Sequence, residues 1–281
     1  MALLDGSADI DQVTAGLNDF AALIAASGLD YRVIMLSLRG RGELSVGGRT
    51  RYGVCIPQPL AGDGSCGDGE RFFQVDVDIH STQPIEQILG TLGQANGYRE
   101  GDQHGSAPWR DLLREGASKT FVVVTDDESG MSASDFHTQM LTNLGRTFRL
   151  HAIASPPGSS HAFGGFTMPG CDGPNGEAAD NGDIYWEEAS RTGGLALSIC
   201  AADWSVLFDN LTAQIAIPMA LPCAYGIPEP PEGEEFAPNR VNVEYTPSGM
   251  PPETIPQVSD LTQCGDAAGW YYDNPSAPTM I

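Results

Sequence analysis

Three short polar stretches place carboxylates and hydroxyls beside apolar, strand-like or helical runs: Asp5-Gly6-Ser7-Ala8-Asp9, Ser81-Thr82 and Thr125-Asp126-Asp127-Glu128. Their oxygens are hard ligands, suited to Mg²⁺, Mn²⁺ or Ca²⁺. Adjacent residues at a strand end diverge, so only one of Asp126 and Asp127 can face a site there. That makes the pair a poor acid/base couple. Asp5, Ser7 and Asp9 equally suit the capping of a helix, and both uses stay open.

Other chemistries find less support. Asp76 and Asp78 lie two apart in Arg71 to Ile79 (RFFQVDVDI). On a strand they share one face, where such charges normally protect a sheet edge and do not form a glycosidase pair. The five histidines, His80, His104, His137, His151 and His161, show no H-E-x-x-H spacing, and no G-x-S-x-G is present. Gly193-Gly194 is followed by no G-K-[ST], so it is not a phosphate loop. Trp270-Tyr271-Tyr272 could form a binding platform, but packing back onto the domain is the simpler expectation.

The polar stretches need elements to hold them. Ile10, Val13, Leu17, Phe20, Leu23 and Ile24 recur at helical spacing, with Gly28 as a stop. Tyr31 to Leu38 (YRVIMLSL) reads as a buried strand, and 39–70 as loop. In RFFQVDVDI, Val75, Val77 and Ile79 alternate with Gln74, Asp76 and Asp78, which predicts a half-exposed antiparallel or edge strand. Pro84 opens a helix carrying Ile85, Ile88, Leu89 and Leu92, and a short helix follows from Pro108. Thr120 to Val124 (TFVVV) is apolar on both faces and is expected at the centre of the sheet. A helix over 133–144, a strand from Phe148 to Ala154, a strand from Leu195 to Ile199 and a helix from Asp203 to Ile217 complete the pattern. Strands alternating with helices predict an α/β fold with a doubly wound, mostly parallel sheet and helices on both faces. Ligands of such sheets sit at the carboxyl ends of the strands. Residues 1–217 form this domain. Residues 218–281 hold most of the prolines and read as an extended Pro-rich C-terminal tail, with a short strand at Val241 to Tyr245.

The runs GLNDFAALIAASGLDYRVIMLSL, TFVVVTDDES and TGGLALSICAADW resemble bacterial von Willebrand factor A-like domains over residues 1 to about 217. The resemblance implies a Rossmann-like fold and a metal-ion-dependent adhesion site. The family builds that site from D-x-S-x-S, a threonine and the aspartate after the central strand. Carried over, Asp126 is the aspartate, Thr82 the threonine, and Asp5 and Ser7 come from the first loop, which here reads D-x-S-x-D. Mg²⁺ or Mn²⁺, or else Ca²⁺, would be the ion, and a protein ligand would complete its coordination with a carboxylate. The resemblance implies a binding module and not an enzyme. The alternatives are a structural surface protein with a metal-free site and, more remotely, a carboxylate-dependent hydrolase, for which no nucleophile–base pair is visible.

Composition points the same way. There are 14 Lys+Arg against 37 Asp+Glu, a formal net charge of -23, so phosphate backbones and anionic membranes are repelled. No apolar run reaches the roughly 18 residues a membrane span needs, so no membrane insertion is expected. Met1 to Asp5 lack the basic start and apolar stretch of an export leader, so an exported protein would take its leader from upstream. The six cysteines form no zinc spacing, and their even, dispersed placement fits disulfides in an oxidising, extracellular or cell-surface setting. Pairing neighbours in sequence gives Cys55–Cys66, Cys171–Cys200 and Cys223–Cys264, one of fifteen connectivities open to six cysteines.

Overall fold

The computed structural model describes residues 30–56, 58, 60–61, 65–79, 82–93, 108–114, 116–174, 176–215, 227, 236–245, 252–263, 269–275 and 277–280. The chain divides into two units, Met1–Met219 and Ala220–Ile281. The expected first helix, with Asp5 and Ser7 before it, lies outside the described residues.

The first unit is mixed α/β. In chain order it has β1 (Val33–Ser37), β2 (Gly42–Val46), β3 (Arg49–Gly53), β4 (Phe72–Asp76), α1 (Pro84–Leu92), β5 (Thr120–Val124), α2 (Ala133–Leu144) and β6 (Arg149–Ala154). Then come β7 (Ser160–Phe163), β8 (Phe166–Pro169), the two-residue β9 (Asp172–Gly173) and β10 (Gly176–Glu177), α3 (Asp183–Arg191), β11 (Ala196–Ser198) and α4 (Ser205–Ile215). β1 pairs with β4 in parallel, and β5, β6 and β11 form a parallel sheet in the order β11-β6-β5.

Two apolar layers sandwich these strands. One layer holds Met35, Phe72, Val124 and Ile153 with Trp204, Phe208 and Leu211 at α4. The other holds Leu36, Val75, Val123 and Leu150 with residues of α1, α2 and α3, among them Ile85, Phe136 and Tyr185. Neighbouring residues of one strand enter opposite layers, as strand alternation requires. Residues from both parallel sheets appear in each layer. α2 shows how the local sequence sets an element: Ser132 Oγ accepts the Asp135 N–H at 3.1 Å, and Gly145 at φ 66° ends the helix.

Three sequence expectations need correction. β5 was expected at the sheet centre, but among the described residues it ends its sheet and pairs with β6. Two apolar faces show that both faces are covered; they do not show that both edges are paired. β4 was expected to be a half-exposed antiparallel or edge strand; among the described residues it does end its two-stranded sheet, yet it runs parallel to β1 and is covered on its polar side as well. Gln74 donates to Ser37 Oγ at 2.9 Å and to the carbonyl of Val54 at 3.0 Å. The backbone N–H of Arg39 donates to Asp76 Oδ1 at 2.8 Å, and Arg51 Nε donates to Asp78 Oδ1 at 3.0 Å. Asp76 and Asp78 are therefore structural acceptors and not solvated edge charges. The third correction concerns residues 39–70, read as loop. They contain the β2–β3 hairpin, which supplies Arg51.

Two of the expected disulfides are present, Cys55–Cys66 with Cα atoms 4.8 Å apart and Cys171–Cys200 with Cα atoms 6.1 Å apart. Cys223 and Cys264 lie outside the described residues. Among the described residues no helix is long and apolar enough to cross a membrane. The second unit contains β12 (Val243–Tyr245) paired antiparallel with β13 (Glu253–Ile255). There Trp270 meets Tyr272 edge to face at 5.1 Å, and the Tyr272 hydroxyl donates to the carbonyl of Pro238 at 2.8 Å.

Candidate functional site at the carboxyl end of β5

β5 and β6 run in the same direction, with Val124 opposite Ile153 and the Thr125 N–H donating to the Ile153 carbonyl at 3.1 Å. The Asp126 loop and the Ser155 loop therefore leave the sheet at one end. Asp126 is half-buried, and its carbonyl accepts the Asp180 N–H at 3.1 Å. Thr82 is exposed in the turn before α1. Its carbonyl accepts the Gly130 N–H at 3.4 Å, which joins the Thr82 turn to the loop that begins with Asp126. Of the four sequence-derived candidates, the fold thus brings the loops of Asp126 and Thr82 together. Asp5 and Ser7 lie outside the described residues.

The stronger tie between these loops was not anticipated. Glu86, in the first turn of α1, is only 4% exposed, and its Oε1 accepts the Ser129 hydroxyl at 2.9 Å. Ser129 Oγ in turn accepts the Met131 N–H at 3.0 Å. One buried hydroxyl thus links the helix that follows Thr82 to the loop that follows Asp126. Glu128 braces the same loop from the other side: its Oε1 accepts the Ser129 N–H at 2.8 Å, and its Oε2 accepts the Ile184 N–H at 3.1 Å. Ile184 lies in the first turn of α3, where Gly182 offers no side-chain cap, so the Glu128 carboxylate takes that role.

Burial dominates the electrostatics of this cluster. It raises Glu86 above its ordinary 4.5, against hydrogen bonds that include the one from Ser129. It also raises Glu128, where the nearby Asp183 carboxylate adds to the effect. The wholly buried Tyr185 phenol is pushed well above 10.0 by burial first and by the Glu86 and Glu128 charges next. A tyrosine held neutral beside carboxylates is a fixed dipole, not a titrating base.

Glu86 and Tyr185 carry no motif, and Glu128 and Ser129 stand out in the sequence only as neighbours of Asp126 in TFVVVTDDES. For Glu86 the one local signal is its place two residues after Pro84, a helix-start pattern; its partner stands 43 residues away. Among the described residues, no three His, Cys, Asp or Glu side chains form a group able to hold a metal ion. The oxygens available from Asp126 and Thr82 are a carboxylate and a hydroxyl, a hard pair whose chemistry fits Mg²⁺ or Mn²⁺ as part of a larger set. Against known proteins, no family model, no curated protein and no solved structure matches this chain.

Proposed function

We propose that the protein is an exported or cell-surface binding module of the von Willebrand factor A-like kind, without catalytic activity, that engages a protein partner at the carboxyl end of β5. The supporting observation is the joining of the Thr82 turn to the Asp126 loop, through the Gly130–Thr82 hydrogen bond and the Ser129–Glu86 hydrogen bond. That union sets a hydroxyl-bearing turn and a carboxylate-bearing loop at one end of a parallel sheet, where ligands of such sheets bind. Asp126 and Thr82, with Asp5 and Ser7 from the first loop, would hold a divalent ion that takes a carboxylate from the partner. Two disulfides suit an oxidising compartment.

Thermal melting with Mg²⁺ or Mn²⁺ against EDTA tests the proposal. An ion that binds only the folded state stabilises it by mass action, by about 2.7 kcal/mol at one hundred times its dissociation constant. Asp126→Ala should abolish the shift, and Asp76→Ala should retain it. A wild-type melting curve unmoved by millimolar Mg²⁺ and Mn²⁺ would leave the metal-free surface protein as the reading.

A further inference from the structure

β6 leads through Ser155 into a segment that ends at α3, and this segment carries the β7–β8 hairpin. Its turn is Gly164-Gly165, with φ of 59° and 85°. Two successive positive φ values are what a type I′ turn needs, and that turn matches the twist of the paired strands. The register places Phe163 opposite Phe166 and His161 opposite Met168. Residues two apart on a strand share a face, so Phe163, Phe166 and Met168 stand together on one side of the hairpin. They are 62%, 74% and 41% exposed, the first two being the most exposed large apolar side chains among the described residues.

The hairpin is held out rigidly. His161 Nδ1 lies 3.1 Å from the carbonyl of Gly170, and Gly170 N–H donates to Asn181 Oδ1 at 3.3 Å. Cys171 N–H donates to Ser155 Oγ at 2.8 Å, and the Cys171–Cys200 disulfide ties the hairpin's base to the segment after β11. A covalent bond, a turn of fixed geometry and several hydrogen bonds thus present two phenylalanines and a methionine to water. Exposed aromatic residues on a preorganised element are the make-up of an interface anchor, because little conformational entropy is left to lose on binding.

Charge defines the partner. Between Arg149 and Arg191 the sequence has no lysine or arginine; Asp172 and Asp183 are exposed carboxylates, Glu177 is exposed beside His161, and Glu187 and the buried Glu188 pair with Arg191. The Asp180 N–H donates to the Asp126 carbonyl, so this acidic segment adjoins the loop of Asp126, Asp127 and Glu128. An apolar face in a segment whose exposed charges are the carboxylates of Asp172, Glu177 and Asp183 selects a cationic neighbour. A second copy of this chain, with net charge -23, is repelled.

We propose that the apolar face of the β7–β8 hairpin, built from Phe163, Phe166 and Met168, is a docking surface for a protein segment that offers apolar side chains flanked by lysine or arginine. The proposal rests on the binding-module reading of this end of the sheet, but it needs no ion.

The probe is a fluorescein-labelled peptide of alternating leucine and lysine, followed by anisotropy at physiological salt in EDTA. Phe163→Thr/Phe166→Thr is the variant, since threonine keeps strand propensity and both sites face solvent. The wild type should bind the peptide at least tenfold more tightly than the variant, with both melting at the same temperature. A lysine/serine peptide should not distinguish the two proteins, and a leucine/glutamate peptide should bind neither. Equal affinity of wild type and variant for the leucine/lysine peptide overturns the proposal. So does a wild-type dimer that the variant abolishes, or a phosphatidylcholine vesicle that binds the wild type and not the variant. Because the assay runs in EDTA, a dead ion site leaves it unchanged, and an inert hairpin leaves the Mg²⁺ melting shift unchanged.

Discussion

Ser129→Ala is the perturbation that should loosen the Thr82 and Asp126 loops without touching either residue. The Ser129 hydroxyl donates to the buried Glu86 carboxyl and accepts the Met131 N–H. A hydrogen bond to a charged group contributes about 1.5–3 kcal/mol, and a neutral one about 1 kcal/mol. Removing both should cost roughly 2–4 kcal/mol, a fall in Tm on the order of 5–15 °C for a unit of this size. Glu86→Gln separates charge from shape, because a glutamine oxygen still accepts from Ser129. Burial raises the folded pKa of Glu86 above 4.5, so the folded chain holds this proton more tightly than the unfolded chain. The stability this group contributes is complete below about 4.5 and is lost as pH rises through the raised value. Glu128 and Glu188 are raised in the same direction, so Glu86→Gln should remove one group's share of that decline and no more. The assay is urea unfolding followed by tryptophan fluorescence from pH 4 to 8. A Ser129→Ala variant within about 0.5 kcal/mol of wild type, the level of an ordinary surface change, would refute the clamp. An unaltered pH slope in Glu86→Gln would refute the burial argument.

Other consequences are independent of the clamp. Opening Cys171–Cys200, which spans 29 residues, should cost about 3–4 kcal/mol by chain entropy, and opening Cys55–Cys66, which spans 11, about 3 kcal/mol; unfolding of the Cys→Ser pairs measures both, and non-reducing peptide mapping checks the pairing. His151 is buried in β6, and its Nδ1 accepts the Leu195 N–H at 3.0 Å. Burial, aided by the Arg149 charge, lowers it to about 4, so its ring signals should move near pH 4 and not near 6.5. Being depressed, it contributes stability that is present above 6.5 and lost as pH falls toward 4. A midpoint near 6.5 would mean that the ring is solvated.

The local elements were legible because each rests on a run of its own residues. TFVVV gave β5, the helix over 133–144 was read to the residue, and Val241 to Tyr245 contains β12. What failed depended on partners distant in sequence. Gln74, Asp76 and Asp78 alternate as a solvated face would, but Gln74 donates to Ser37, Arg39 and Arg51 donate to the two aspartates, and no period in the strand records those partners. The β7–β8 hairpin lies between Ala154 and Leu195, where no element was expected from the sequence, although Gly164-Gly165 between short alternating runs is a hairpin signal. In the site, Asp126 and Thr82 were readable as residue types at strand and helix ends. The Glu86–Ser129 clamp was not, because a lone glutamate and a lone serine acquire meaning only when α1 and β5 pack together.

Most direct for the central claim is the location of bound Mn²⁺ by paramagnetic broadening in the ¹H–¹⁵N spectrum of the whole chain. If the carboxyl end of β5 is an ion-dependent adhesion site, substoichiometric Mn²⁺ should broaden the amide signals of Thr82 and of Asp126 to Gly130. The signals of Lys119 and Arg149, at the opposite end of β5 and β6, should stay sharp, and Asp126→Ala should restore all those lost. Broadening spread evenly over the acidic surface, or none at Asp126, would contradict the account.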